Sequence, residues 1–365
     1  MSKSTLRVPA EVRYADELER LRAADEAEKR PLPPGWRLSP RAVRSFIVGD
    51  PALQVSRKFY GDDPLVDRAV VTLLGRQALM LVGEPGTAKS MLSELLAAAI
   101  SGTSTLTVQG TAGTTEDHLR YSWNYALLLA EGPTPRALVK SPIFQAMETG
   151  RVARVEEITR TAPEIQDTLV SLLSEKLLMV PELGPDELVG AQAGFNLIAT
   201  ANLRDRGVNE MSSALKRRFN FETVKPIADR AFEVELVSRQ LAESLDTVPA
   251  KVEAPADVIE LLVTAFRELR DGRTEQGTPL KRPETVMSTA EAVNVAHAAA
   301  LEAAYFGDGR VGGGEIARAL AGVALKDSTE DRARLRYWVD NVVRERAGGD
   351  PQWREFLTAA RSAWD

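Results

Sequence analysis

The residues best suited to chemistry are Gly83-Glu84-Pro85-Gly86-Thr87-Ala88-Lys89-Ser90, followed by Met91 and an apolar run. Triphosphate binding requires main-chain N–H groups converging at a helix N-terminus, a lysine charge on the outer phosphates and a hydroxyl for Mg²⁺. Gly83 and Gly86 supply the turn, Lys89 the charge and Ser90 the hydroxyl, so the ligand predicted is ATP with Mg²⁺. Ala88 stands where the common pattern has glycine, and its methyl group is small enough to keep the loop close. A chance glycine-rich turn would not sit between an apolar strand and a helical run, as this one does.

Hydrolysis needs an acid that supports the metal and a second carboxylate that polarises the attacking water. Val152-Ala153-Arg154-Val155-Glu156-Glu157 provides both: Glu156 as the metal-supporting group, in a position usually held by aspartate, and Glu157 as the catalytic base or water-orienting group. Arg154 interrupts what is ordinarily an apolar strand, and paired carboxylates also describe a solvated loop. Asn202 ends the apolar run from Phe195 and can reach the γ-phosphate or the water, although asparagine at a strand end is ordinarily a cap or turn residue. Ser212-Ser213 can start a helix that closes on Lys216-Arg217-Arg218 before Phe219. Arginine is the preferred donor to transition-state phosphoryl charge, so Arg218 is the first choice for a finger reaching a neighbouring subunit and Arg217 the second. A helix-terminal charge cluster accounts equally for Lys216 and Arg217. Arg282, in Lys281-Arg282-Pro283, reads as opening a helix of a second domain where it could sense nucleotide.

These residues must be held by a frame. Between Phe59 and Phe232 short apolar runs (78–82, 105–108, 152–155, 195–200) alternate with helical patterns, which predicts an α/β fold with a parallel sheet flanked by helices. Beyond Pro255 only helical periodicity remains: Val258, Leu261, Leu262, Ala265, Phe266 and Leu269 form one stripe, and Val286, Met287, Ala290 and Val293 begin another. Runs at 316–325 and 335–343 continue it, with Gly312-Gly313-Gly314 breaking the chain between helices. Before the sheet, a charged helix over 16–29, a Pro31-to-Gly35 break and a short helix ending near Asp50 read as an appendage. The predicted division is an N-terminal helical extension (1–58), an ATPase core (59–235), a helical lid (236–345) and a C-terminal helical tail (346–365).

Composition narrows the classes further. The chain has 365 residues, 44% hydrophobic and 27% charged, enough for two cores. No run approaches the ~18 apolar residues of a membrane span, and the opening residues lack a secretory pattern, so a cytoplasmic protein without membrane attachment is expected. Without cysteine there is no disulfide, thiol nucleophile or thiolate zinc site; His118 and His297 are too few for a histidine metal centre. A net charge of −6 gives no footprint for wholesale nucleic-acid binding.

Taken together, GEPGTAKS, VEEITRTAPEIQDTLVSLL, FNLIATANLRD and SSALKRRF resemble the phosphate loop, acidic strand, sensor strand and arginine-finger helix of MoxR-type AAA+ ATPases, within the helix-2-insert and dynein-related group. The match runs over roughly 59–232; alanine before the lysine is usual in that group, while Glu156 for aspartate is a departure. The resemblance implies an inserted segment over 111–149 and a hairpin over 178–194 facing a pore or client, or simply packed on the core. It further implies a self-assembled ring, expected as a hexamer, a von Willebrand factor A domain partner, and chaperone work on a protein client. Two other readings stand beside it: a nucleotide-dependent scaffold with weak hydrolysis, and a nucleic-acid-stimulated ring motor.

Overall fold

The four apolar runs become parallel strands, and a fifth strand that the pattern did not mark, Phe219–Thr223, joins them. The computed structural model describes residues 7–184, 187–202, 207–245, 248–285, 287–325 and 328–364. Val286 of the second stripe and 203–205 at the end of the sensor motif lie outside the described residues. The strands are β1 (Ala78–Val82), β2 (Thr107–Gln109), β3 (Val152–Glu156), β4 (Asn196–Ala201) and β5 (Phe219–Thr223), in spatial order β2-β3-β4-β1-β5. Leu79 pairs with Ile198, Ala78 with Phe219, and Gln109 with Glu156, so the carboxyl ends of β1, β3 and β4 lie side by side.

The period of two along a strand divides the sheet between two cores. Leu79, Leu81, Val152 and Ile198 face one; Met80, Val82, Ala153, Val155, Leu197 and Ala199 face the other. The first core is completed by helices α1 (Ala15–Ala27), α2 (Pro40–Val48), α3 (Asp63–Leu74) and α4 (Lys89–Ser101). The second takes α5 (Pro142–Thr149) and α6 (Pro163–Glu175).

The expectation of an N-terminal appendage is corrected here. Leu21, Trp36, Phe46 and Ile47 are buried in the same core as Leu79 and Leu96. Polar ties reinforce this: the Arg37 amide donates to the Ile100 carbonyl at 2.7 Å, the Ser104 hydroxyl to Glu11 at 2.7 Å, and buried Lys58 to the Phe46 carbonyl at 2.9 Å and to Glu17. The charged face of α1 hid this in the sequence, because only Leu21 and Asp25 of that helix are buried.

The chain divides into two units, residues 1–84 with 88–225, and 226–365 with 85–87. The second is helical: α7 (Arg230–Leu245), α8 (Ala256–Asp271), α9 (Thr289–Phe306), α10 (Gly313–Ala324), α11 (Thr329–Trp338) and α12 (Pro351–Ala363). The stripe expected on α8 is buried as read. The following helix starts later than the pattern suggested: Ser288 caps it, with Glu291 closing the box, and Ala292, Val295, Ala296 and Ala299 form its buried face, while Ala290 is exposed. Residues beyond 346 share the core of this unit, where Trp338, Trp353, Phe356 and Trp364 meet edge to face. The glycine run does not break the chain but opens α10, for a packing reason: a Cβ on Gly313 would lie 2.0 Å from the Gln352 carbonyl oxygen of α12.

One buried charge organises α7, α8 and the start of α9. Glu233, fully buried, accepts from Arg270 at 2.9 Å, Arg267 at 3.0 Å and the Thr289 hydroxyl at 2.6 Å. Burial pushes its carboxyl up, but the two guanidinium groups and the hydroxyl outweigh that and hold it below the ordinary carboxylate value.

Thermal or urea unfolding of three variants tests this packing. Gly313→Ala should destabilise the protein by about 1–3 kcal/mol through overpacking against α12. Gly322→Ala in the same helix, with open space around its added methyl, should be neutral or stabilising by up to ~1 kcal/mol. Glu233→Gln should cost about 3–5 kcal/mol at pH 7 by stranding two arginines. A depressed carboxylate contributes stability above its unfolded pKa of ~4.3 and loses it as pH falls through the folded value. The gap between wild type and Glu233→Gln should therefore shrink below about pH 4.

Candidate nucleotide site

The phosphate loop runs from Gly83, just past the buried β1, to Lys89, the first residue of α4. Ala88 occupies the left-handed region at φ 65°, a conformation that glycine adopts freely and that costs other residues roughly 1–2 kcal/mol. No side chain caps α4, because an alanine at the cap has no acceptor. The first-turn amides of Lys89, Ser90 and Met91 are thus the donors a phosphate group would take. Gly86 is also left-handed, at φ 74°, between Pro85 and Thr87.

Lys89 is 5% exposed, and its ammonium donates to the carbonyls of Gly83 at 3.1 Å and Glu84 at 2.7 Å. Burial pulls it below the ordinary lysine value, against the charges of Glu157, Glu156 and Glu84. The loop therefore holds its cation against its own backbone, where it also feels both carboxylates of the neighbouring strand.

Glu156, at the end of β3, is 6% exposed and accepts on both oxygens. Oε2 takes the Ser90 hydroxyl at 2.7 Å and the Thr200 hydroxyl at 2.7 Å. Oε1 takes the Ser93 hydroxyl at 2.6 Å and Arg154 Nη2 at 2.6 Å. Burial acts to raise this carboxyl, but the Arg154 charge and the three hydroxyls prevail and hold it below the ordinary value. Glu156 is thus not part of a solvated loop. The hard oxygen donors of Ser90 and Glu156 fit Mg²⁺, which favours hydroxyl, carboxylate and water ligands.

Glu157 sits one residue beyond the strand, left-handed at φ 55°, with its amide donating to Thr200 Oγ1 at 3.0 Å. The turn moves its side chain off the strand alternation. Its Oε1 accepts from Asn202 Nδ2 at 2.7 Å, and its Oε2 lies 3.3 Å from Arg160 Nε. Asn202 is buried, and among the described residues its Oδ1 has no donor. Hence Lys89, Ser90, Glu156, Glu157 and Asn202, named from sequence, meet at the carboxyl edge of β1, β3 and β4.

Ser93, Thr200 and Arg160 were missed, and their spacing could have suggested two of them. Ser93 is one helical turn beyond Ser90, and Thr200 lies on the same strand face as Asn202. Arg218, at the base of β5, donates to Ser174 Oγ at 2.8 Å and the Ala214 carbonyl at 3.3 Å, folding back on its own unit. Arg217 caps the short helix Ser213–Lys216 and is exposed. Arg282 does not open a helix: it is exposed between α8 and α9, with Nη2 donating to the Asp271 carbonyl at 2.9 Å. Proline at 283 keeps the segment before it out of helix.

The AAA domain of the dynein-related subfamily matches residues 78–219, and the YehL-like AAA+ ATPase C-terminal domain matches 231–363. YehL of Escherichia coli (strain K12) is 50% identical over 356 residues, 97% of this chain and 96% of YehL. A Staphylococcus aureus (strain USA300) protein is 34% identical over 91 residues, 25% of this chain and 34% of its own length. Among solved structures, the Thermotoga maritima RuvB Holliday junction branch migration motor has a TM-score of 0.46 at 14% identity, covering 84% of this chain and 87% of RuvB. NtrX from Brucella abortus, in complex with ADP, has a TM-score of 0.46 at 14% identity over 81% of this chain and 63% of NtrX. With both halves matched and 50% identity to YehL over nearly its full length, this chain belongs to the YehL-like family of AAA+ ATPases.

Proposed function

We propose that the protein hydrolyses ATP with Mg²⁺ and spends the energy remodelling a protein client as a ring of identical subunits in the cytoplasm. The observation that carries this reading is the meeting of Lys89, Ser90, Glu156, Glu157 and Asn202 at one sheet edge. The first-turn amides of Lys89, Ser90 and Met91 and the Lys89 ammonium would hold the triphosphate, and Ser90 with Glu156 the metal. Mg²⁺, when bound, neutralises charge on the β- and γ-phosphates. Glu157 accepts a proton from the attacking water, which Asn202 orients from the adjacent strand end. Asn202 already shares a hydrogen bond with Glu157, so the amide aligns the base before it acts.

Ring assembly would let an arginine of one protomer serve the site of the next. Arg217 suits this better than its sequence ranking suggested, because it is exposed whereas Arg218 is bonded to Ser174 and Ala214. The client is proposed to meet the inserted segment, whose hairpin pairs Tyr121–Trp123 with Leu138–Lys140 around the helix Tyr125–Glu131. Exposure of Leu129 at 89%, and of Tyr125 and Val139, supports this over simple packing on the core. A von Willebrand factor A domain protein is the proposed partner, by family analogy alone.

ATP turnover and solution mass, each measured with and without ATP, test the mechanism. Lys89→Ala should weaken ATP binding by about 10–100-fold, the scale of a lost charge-assisted contact. Glu157→Gln should bind ATP and remain assembled while turnover falls by ~10²–10⁴. Arg217→Ala should retain binding and lose roughly 10³ in turnover, with Arg218→Ala less affected; the reverse order would make Arg218 the finger. Undiminished turnover in Glu157→Gln would defeat the assignment of the base, and ATP-driven assembly without turnover in wild type would favour the scaffold reading.

A further inference from the structure

We infer that Arg154 and Glu156 act as one unit, with Arg154 the positioning residue that allows glutamate to stand where the family pattern has aspartate. This rests on the ATPase reading of the site. The two side chains share a face of β3, two residues apart, toward the first turns of α4. Arg154 is 6% exposed and every arm of its guanidinium is engaged. Nε donates to Ser93 Oγ, Nη1 to the Ser104 carbonyl and Nη2 to the Ser90 carbonyl, each at 3.0 Å, with the Glu156 bond at 2.6 Å.

Carbonyl oxygens of α4 and of the segment leading to β2 thus fix where the guanidinium lies. A carboxylate that reaches Arg154 and Ser93 with one oxygen and Ser90 and Thr200 with the other uses the full length of glutamate. Aspartate would draw it back by one C–C bond, about 1.5 Å, more than these hydrogen bonds can stretch. An apolar residue at 154 would instead take from buried Glu156 Oε1 the guanidinium that donates to it at 2.6 Å. Each departure from an apolar residue followed two positions later by aspartate is therefore tolerable only with the other. The Ser90 hydroxyl proton is directed to Glu156, which leaves the Ser90 oxygen free to bind a cation, so Arg154 reaches the metal through Glu156.

The test is a double-mutant cycle in the full chain: Arg154→Leu, Glu156→Asp, the two combined, and Arg154→Lys. Two quantities are measured: the Mg²⁺ concentration giving half-maximal binding of a fluorescent ATP analogue, and Tm in EDTA without nucleotide. Each single change should raise the Mg²⁺ requirement about 10-fold, equivalent to ~1.4 kcal/mol, and the combined variant should return to within about 3-fold of wild type. Arg154→Lys, a point charge without the fork, should fall between. A combined variant showing the product of the two single effects would overturn the proposal. So would an Arg154→Leu protein with lower Tm and an unaltered Mg²⁺ requirement, which would make Arg154 only a tie between β3 and α4. If Arg154→Leu alone does not fold, a combined variant closer to wild type than Glu156→Asp supports the coupling, and one further away overturns it. A wild type that binds no analogue would remove the ATPase reading itself, and the Tm cycle would still decide whether the pair is coupled.

Discussion

The Glu156 carboxylate is gripped by three hydroxyls and a guanidinium, drawn from its own strand, from β4 and from the first turns of α4. That one group ties the phosphate-loop helix to two sheet strands at the place where nucleotide chemistry would occur. A buried carboxylate is unfavourable unless paired and fully bonded, and here both oxygens are satisfied. The order β2-β3-β4-β1-β5 makes this possible, because it brings the ends of β3, β4 and β1 into adjacent positions.

Two of the five non-glycine residues that are left-handed among the described residues, Ala88 and Glu157, belong to this site. Each costs on the order of 1–3 kcal/mol and persists because its surroundings leave no alternative. Ala88 is followed at once by a helix that buries Leu92, Leu95 and Leu96, and the Glu157 amide is held by Thr200. The result of the first is a helix N-terminus whose amides point into the loop; the second turns a carboxylate out of the strand and toward Asn202.

Much of the frame was legible from sequence, for identifiable reasons. Residues 78–82, 152–156 and 196–201 are buried on both faces, so they read as apolar runs interrupted only by Arg154, Glu156, Asn196 and Thr200. Helix α8 carries a strong apolar stripe and was found in register. The N-terminal helices were misjudged because α1 presents mostly charge, and its attachment comes from single residues such as Leu21 and from polar ties of Glu17 to Lys58 and Asp25 to Ser39. The start of α9 was misplaced because its buried face is chiefly alanine, which gives little hydrophobic contrast to the periodicity.

Local sequence determined what a strand-loop-helix order can dictate: a phosphate loop, an acidic pair, a polar strand end and a helical second half. It determined these because each depends on neighbours along the chain. Tertiary structure alone decided that Arg154 is a partner of Glu156 rather than a flaw in its strand, that Arg218 is bonded inward while Arg217 is exposed, and that Gly313 is demanded by Gln352. Those outcomes depend on which distant groups arrive within hydrogen-bond or contact distance, and only the packed sheet and helices bring them there.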